Sequence, residues 1–288
     1  MSHYSNSPHF ILHFDVNKTI VCFDQIQDMS VDQTLTLLFA DRIAASWRAD
    51  LDPMTYKKYV RKFIVPGNEL DQTVKKQRLK SYQNLWQELK CLDQTKFEHY
   101  QEEWKKAREL LTSHHVFPSF FRLIHFLDDH QLSYSIILRT FGNDLDFVIE
   151  EIRKDCPQIS FVRGLFLKGN LHICDDVLTN MEHIQDFFIN HHLAIRDDHH
   201  HWHHHHKEQI TGGKPFPFRK SDQVVTLFFD DNLKSKQIVQ VIDLNNDASD
   251  PVSPGELIEA GFLIPVDTLS AISDEDYFVR CIERLLLR

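Results

Sequence analysis

The clearest pattern along the chain is a set of short apolar runs, each of which ends abruptly in polar residues. Runs of this length, without the three-to-four-residue spacing of a helix, are typical of strands that are buried on both faces. The three runs that end most sharply in polar groups are HFILHF at 9–14, SYSIILRT at 133–140 and VVTLFF at 224–229. A further run of the same kind, IVQVIDL at 238–244, predicts a fourth strand.

A different pattern occupies the region from Ser30 to about Thr112, where long stretches show helical spacing and glycine is scarce. Ser30 followed by Gln33 fits a capping box at a helix start. Pro53 and the Pro66-Gly67 pair divide the region into several helices. We therefore predict a mainly helical insert over residues 25–112.

The remaining segments between the apolar runs predict further helices and a less regular region. Strands that alternate with helices indicate an α/β fold with a parallel sheet, so residues 1–24 and 113–288 are expected to form one core. FVRGLFLKGNLHI at 161–173 predicts short strands or a hairpin. The predicted helices are one that begins at Pro118 and includes FFRLIHFLDDH, one over DLDFVIEEIRK at 144–154 and one around DVLTNMEHIQDFF at 176–188.

Composition narrows the class of protein. With 288 residues, 42% hydrophobic and 11% aromatic, the chain is long and apolar enough for two domains or for one core with a large insertion. Its five cysteines form no CxxC pair, which favours a reducing compartment. No apolar run reaches about 18 residues and the N-terminus does not resemble a signal peptide, so we expect a soluble, cytoplasmic protein without membrane insertion. A net charge of −10 opposes nucleic-acid binding.

Candidate chemistry lies at the ends of the predicted strands, because a parallel α/β sheet places ligand sites at the carboxyl ends of its strands. Asp15, Thr140 and the pair Asp230-Asp231 stand at three such ends. Carboxylates that converge there repel one another unless a cation lies among them, and oxygen ligands without a nearby Cys or His suit Mg²⁺. Lys214, on a predicted glycine-rich turn in TGGKP, supplies a basic group for a phosphate.

These four motifs, in this order, resemble those of the haloacid dehalogenase-like (HAD) phosphatases. Asp15-Val-Asn17-Lys-Thr19 is similar to the family's nucleophile motif, and Thr140 to its phosphoryl-binding Ser or Thr. Gly-Lys214-Pro is similar to its lysine motif, and Asp230-Asp231 to its acidic metal-binding pair. The resemblance implies a Rossmann-like parallel-sheet HAD core, in which the helical insert after the first strand forms the cap.

The resemblance also implies roles for these residues. Asp15 would be the covalent nucleophile that forms an aspartyl-phosphate, and Thr140 and Lys214 would hold the phosphoryl oxygens. The substrate would be a phosphorylated small molecule or a phosphoprotein. Arg139 and Thr19 are further candidates for substrate binding. Magnesium would be held by Asp15, Asp230, the main-chain carbonyl of Asn17 and, directly or through water, Asp231.

The sequence departs from the family at Asn17, where most members have an Asp that acts as general acid and base. An amide cannot transfer that proton, a contribution typically of about 10²- to 10⁴-fold. We therefore expect a preference for aryl phosphates such as phosphotyrosine, because a phenol leaves with a pKa of about 10. Alternatively, Asp24 or a residue of the cap supplies the proton. Two further hypotheses are a weak or inactive relative that binds a phosphorylated partner, and a HAD-type hydrolase of another bond.

Each candidate also has a structural explanation. Asp15 with Thr19 is consistent with a turn, and Asp230-Asp231 with the cap of a following helix. Thr140 and Arg139 are compatible with an ordinary strand end and a surface charge. Lys214 competes with Lys207 and Lys220 for the role of phosphate ligand.

Two features of the sequence lie outside these motifs. The histidine-rich tract HHHWHHHH at 199–206 is interpreted as a solvated loop with incidental metal affinity, although a physiological metal site and a pH-dependent active-site entrance are alternatives. The aromatic residues of the insert are expected mostly to pack in its core. They are Trp47, Tyr56, Tyr59, Trp86 and Trp104.

Overall fold

The chain forms two compact units, one containing Met1–Val21 and His114–Arg288 and the other Cys22–Ser113. The sequence-based boundaries lie after residue 24 and before residue 113, close to these divisions. No helix among the residues described is both long and apolar enough to cross a membrane. The computed structural model describes residues 7–22, 29–68, 71–198, 200, 213–233, 238–245 and 252–286.

An eight-stranded sheet forms the centre of the first unit. In spatial order its first six strands run parallel, and the last two continue as antiparallel hairpins. The chain is therefore an α/β protein with a mostly parallel central sheet, as the sequence predicts. In that spatial order the strands are β12 (Leu263–Pro265), β10 (Val224–Asp230), β1 (His9–Asp15), β4 (Tyr134–Thr140), β8 (His192–Arg196), β5 (Phe161–Leu167), β6 (Asn170–Ile173) and β7 (Asp176–Leu178).

Strand β1 occupies an inner position of this sheet because its apolar residues are buried on both faces. On one face Ile11 packs with Phe188 of the helix Met181–Asn190. On the other, Phe14 contacts Phe120 and Phe278 edge to face. Helices thus cover both faces. Among the residues that the structure describes, the helices of this unit include α6 (Pro118–Asp129), α7 (Leu145–Asp155), α8 (Met181–Asn190), α9 (Pro254–Ala260), α10 (Thr268–Ser273) and α11 (Tyr277–Leu286).

A second, two-stranded parallel sheet pairs β9 (Lys214–Phe218) with β11 (Val239–Asp243). The strand predicted at IVQVIDL is therefore confirmed, but it lies in this second sheet and not in the main one. The placement of Lys214 on a turn is wrong, because Lys214 is the first residue of β9. Two prolines concealed β9 in the sequence. Only alternate N–H groups of β9 face its partner, as Lys214 N donates to Ile238 O at 2.7 Å, so Pro215 and Pro217 cost the ladder no hydrogen bond.

One predicted helix begins later than expected. Within DVLTNMEHIQDFF, Asp176–Leu178 is a strand, and helix α8 begins only at Met181. Asn180 caps it by accepting hydrogen bonds from the backbone N–H groups of Glu182 at 2.7 Å and His183 at 3.3 Å. The helical spacing in this stretch therefore applies only to its second half.

The second unit is mainly helical, as predicted. Ser30 and Gln33 form the expected capping box, in which Gln33 N donates to Ser30 Oγ at 3.3 Å and Ser30 N to Gln33 Oε1 at 3.0 Å. A short π-helix, Val60–Ile64, continues directly from a helical turn. The elements are α1 (Val31–Arg42), β2 (Ala44–Ala45), β3 (Met54–Thr55), α2 (Tyr56–Tyr59), α3 (Gln72–Tyr82), α4 (Leu85–Leu92) and α5 (Gln94–Ser113).

Most of the aromatic residues named from the sequence pack in the interior of this unit. Tyr56 is 2% exposed, and Trp47 donates its indole N–H to Met54 O at 2.7 Å. Tyr59 is also buried. Trp86 and Trp104 are only partly buried and contact each other edge to face. A core role is confirmed for the first three.

Candidate functional site

Three carboxyl groups meet at the carboxyl end of the central strands. Asp15 ends β1 and Asp230 ends the adjacent β10. Because Phe14 pairs with Phe229 in the parallel ladder, the two aspartates that follow lie level with each other. Together with Asp231 they offer carboxylate oxygens that all lie within 4.8 Å of one another. We call these three residues the acidic cluster. Asp15 and Asp230 are buried, so their charges lack the solvation that surface carboxylates have.

Lys214 provides the positive charge of the cluster. Its Nζ is hydrogen-bonded to Asp15 Oδ1 and lies 3.1 Å from Asp230 Oδ2, although 199 residues separate Lys214 from Asp15 in the sequence. The side chain is 1% exposed. Burial lowers its pKa, but Asp15, Asp230 and Asp197 overcome this effect and leave the pKa above its ordinary value. The ammonium group therefore stays charged in the interior.

The acidic cluster fits a divalent cation. Burial raises the pKa of Asp15 well above its ordinary value, and although Lys214 opposes this shift, Asp230 and Asp231 add to it. One ammonium thus does not fully compensate the three acids. A cation among them would favour the ionised carboxylates, and an all-oxygen donor set without His or Cys suits Mg²⁺.

Asn17 is held by a buried carboxyl group that the sequence did not single out. Its Nδ2 donates to Asp144 Oδ2 at 3.0 Å, and Asp144 is fully buried. Since a carboxylate only accepts hydrogen bonds, this contact fixes the amide with its oxygen turned away from Asp144. Asn17 Oδ1 is buried and meets no hydrogen-bond donor among the residues described. From the sequence, Asp144 was predicted only as the first residue of a helix.

The two threonines have different surroundings. Thr140 ends β4 next to β1, and its Oγ1 accepts a hydrogen bond from Gly142 N at 2.9 Å. Thr19 Oγ1 accepts one from Asp231 N at 3.2 Å. Thr19 therefore helps to hold the main chain of the acidic cluster in place, and the substrate contact predicted for it stays a prediction.

Arg139 does not have the surroundings of a substrate ligand or of a surface charge. It is fully buried, and its guanidinium binds both carboxylate oxygens of Asp197 and the main-chain oxygen of Pro215. The Phe166 and Phe228 rings lie 4.8 and 5.8 Å from its central carbon. All three guanidinium nitrogens therefore donate hydrogen bonds to other groups of the protein. Asp197 was missed because β8, which it follows, has only the short apolar stretch LAI.

Several residues named from the sequence lie outside the described part of the chain. They are Asp24, Lys207, the Thr211-Gly212 part of the TGGKP motif, and the histidine tract except His200. Lys220, the other competitor of Lys214, is described and is exposed. Of these two lysines, Lys214 is the one that contacts the acidic cluster.

Comparisons with protein-family models, with curated proteins and with solved structures found no match for this chain. What the site does must therefore follow from its own geometry. That geometry consists of three convergent carboxyl groups, one buried ammonium and two hydroxyl groups at the carboxyl edge of a mostly parallel sheet.

Proposed function

We propose that this protein is a Mg²⁺-dependent phosphatase of the HAD type, with Asp15 as its nucleophile. The observation that carries the proposal is the buried contact of Lys214 with both Asp15 and Asp230 inside the acidic cluster. Two anionic groups and a cation held this close form a site for another strongly charged group. A phosphoryl group bound through Mg²⁺ and Lys214 has that character.

The proposed fold assignment is a Rossmann-like HAD core with an inserted cap. It is supported by the mostly parallel order of the sheet and by the position of the helical unit Cys22–Ser113, which enters the chain between β1 and α6. Substrate choice would then reside in the inserted unit.

Magnesium would be held by the carboxylates of Asp15 and Asp230 and by the main-chain carbonyl of Asn17, with Asp231 assisting. When bound, it supplies positive charge that neutralises and orients the phosphoryl oxygens. Asp15 must be ionised to act as a nucleophile, and the neighbouring Lys214 ammonium favours that state by opposing the rise in its pKa.

The protein groups then carry the reaction. A carboxylate oxygen of Asp15 attacks phosphorus, the bond to the leaving oxygen breaks, and an aspartyl-phosphate forms. Lys214 and Thr140 donate hydrogen bonds to the phosphoryl oxygens. The leaving oxygen departs as an anion and takes its proton from solvent. Water subsequently attacks phosphorus, the bond between phosphorus and the Asp15 oxygen breaks, and the protons of the water stay on the released phosphate or pass to solvent, which restores the Asp15 carboxylate.

Asn17 shapes the substrate preference, because its amide neither protonates the leaving oxygen nor removes a proton from water. Substrates whose leaving group needs little protonation are favoured. We therefore assign aryl phosphates, including phosphotyrosine, as the preferred class, as part of a phosphorylated small molecule or protein. The second candidate function, binding of a phosphorylated partner without turnover, is favoured by the same absence of a carboxyl group at position 17.

The deciding experiment measures hydrolysis of p-nitrophenyl phosphate by the wild type and Asp15→Asn, with Mg²⁺ and with EDTA. Exposed Asp222→Asn serves as the matched control. We expect turnover that requires Mg²⁺. It should fall by roughly 10³-fold or more in Asp15→Asn and stay unchanged in Asp222→Asn. Binding of phosphate without turnover would support the second function, and turnover that survives Asp15→Asn would refute the assigned nucleophile.

A further inference from the structure

Arg139 connects three separate segments around the candidate site. Its Nε donates to Asp197 Oδ2 at 3.0 Å, and its Nη2 donates to Asp197 Oδ1. Its Nη1 donates to Pro215 O at 2.9 Å. Neither charged side chain of this pair is more than 2% exposed. Pro215 directly follows Lys214. The Arg139 guanidinium thus binds the residue next to Lys214 in the chain.

The main chain around Arg139 adds a connection to the strand that carries Asp15 and a second one to Asp197. Its carbonyl accepts a hydrogen bond from Val16 N at 3.0 Å, and it pairs with Asp15 across β1 and β4. Asp197 N donates to Thr140 O at 2.7 Å. Residue 139 is therefore tied to the strand that carries Asp15 and, through its side chain, to the strand that carries Lys214.

We infer that Arg139, with Asp197, is a positioning residue that holds Lys214 against Asp15 and Asp230. The strand β9 belongs to a separate sheet, so the register of the main sheet does not fix where Lys214 lies. The bond from Arg139 to Pro215 O supplies a link between the two sheets. The planar guanidinium serves this purpose because it can bind a carboxylate with two nitrogens and still donate a third hydrogen bond.

The test removes both members of the pair together. Arg139→Met with Asp197→Leu leaves no lone buried charge, and such replacements are often neutral for stability. Acetylation of Lys214 by an N-hydroxysuccinimide ester, followed by mass spectrometry and normalised to exposed Lys220, reports how well the lysine is sequestered. We expect acetylation of Lys214 to rise on the order of tenfold in the double variant.

Two further variants separate positioning from general loosening of the core. Arg139→Lys keeps one charge contact but cannot span Asp197 and Pro215 together, so it should show an intermediate rise. This variant also provides the comparison if the double variant does not fold. Leu123→Ala, a buried change in α6, is the control and should leave Lys214 protected. Unchanged acetylation in folded Arg139 variants, or an equal rise in Leu123→Ala, would overturn the inference.

The catalytic consequence rests on the proposed phosphatase function and has its own readout. The double variant should lower kcat/KM for p-nitrophenyl phosphate by about tenfold in the wild-type background and have little further effect in Lys214→Met. Equal losses in both backgrounds would mean that Arg139 does not act through Lys214. If the wild type shows no turnover, the phosphatase proposal fails, while the acetylation experiment still decides the positioning role.

Discussion

The side-chain amide of Asn17 donates a hydrogen bond to the buried carboxyl group of Asp144, with 3.0 Å between Nδ2 and Oδ2. The residue that departs from the proposed HAD-like nucleophile motif therefore has a specific partner 127 positions away. An Asp at position 17 would place two carboxyl groups in contact where neither is well solvated. The presence of Asn17 is thus coupled to that of Asp144.

This coupling predicts the stability of exchange variants. Asn17→Asp loses the hydrogen bond and brings like charges together, so it should destabilise the protein by about 1–3 kcal/mol. Asn17→Asp with Asp144→Asn restores one donor and one acceptor and should recover most of that loss. Urea unfolding at pH 7 measures both effects. A single variant as stable as the wild type would show that the contact is unimportant.

The same residue predicts a substrate preference. Without a general acid at position 17, phenyl phosphate should be hydrolysed about 10²-fold or more faster than an alkyl phosphate of similar size. The comparison uses kcat/KM for the two substrates at pH 7. Equal values on both would contradict the argument from Asn17.

Thr19 should affect the affinity for Mg²⁺ indirectly. Thr19 Oγ1 accepts a hydrogen bond from Asp231 N and so helps to hold the acidic cluster in place. Thr19→Val removes this acceptor and should weaken Mg²⁺ binding by about tenfold. Thr19→Ser keeps the oxygen and serves as the control. Isothermal titration with Mg²⁺ measures the change, and equal affinities for the Val and Ser variants would exclude this role.

Gly213 precedes Lys214 at a point where a side chain does not fit. A Cβ there would lie 2.7 Å from both Gln240 N and Val239 C in the main chain of β11. Gly213→Ala should therefore displace β9 and cost about 1–3 kcal/mol of stability. Gly255→Ala is the control, because its nearest contact would be Ser253 Oγ at 3.8 Å. Thermal unfolding of both variants checks the difference, and equal melting temperatures would contradict it.

Histidines at the opposite end of the sheet predict loss of stability in acid. Burial lowers the pKa of His9, with a contribution from His192, and it lowers the pKa of His192 despite opposition from Asp128. Both groups are therefore more readily protonated in the unfolded chain. Their contribution to stability is present above about pH 6.5 and is lost as the pH falls below it.

The variant that tests this pH dependence is His192→Asn. His192 Nδ1 accepts a hydrogen bond from Ile136 N at 3.0 Å, and an Asn oxygen can replace that acceptor without titrating. The decrease in the free energy of unfolding between pH 7.5 and 5.5 should be smaller in this variant, over limits chosen to bracket the histidine range. Exposed His125→Asn is the matched control. An unchanged pH dependence in His192→Asn would refute the prediction.

Local pattern was sufficient for the strands that carry the acidic residues. Because β1, β4 and β10 are buried on both faces, each is a mostly apolar run. The residues that end these runs, Asp15, Thr140 and Asp230, lie at the carboxyl edge of a parallel sheet. The capping box at Ser30 was equally local, since its two partners are three residues apart.

Only the tertiary structure decided how the positive charges are used. Arg139 and Lys214 are both basic residues close to polar strand ends or turns in the sequence, yet one binds Asp197 and Pro215 while the other binds Asp15 and Asp230. The sequence determined the strands β1, β4 and β10 and the acids that follow β1 and β10, because apolar runs and their ends are local properties. Which charge meets which acid depends on the pairing of strands distant in sequence and on the direction of each side chain, and these arise only when the sheets assemble.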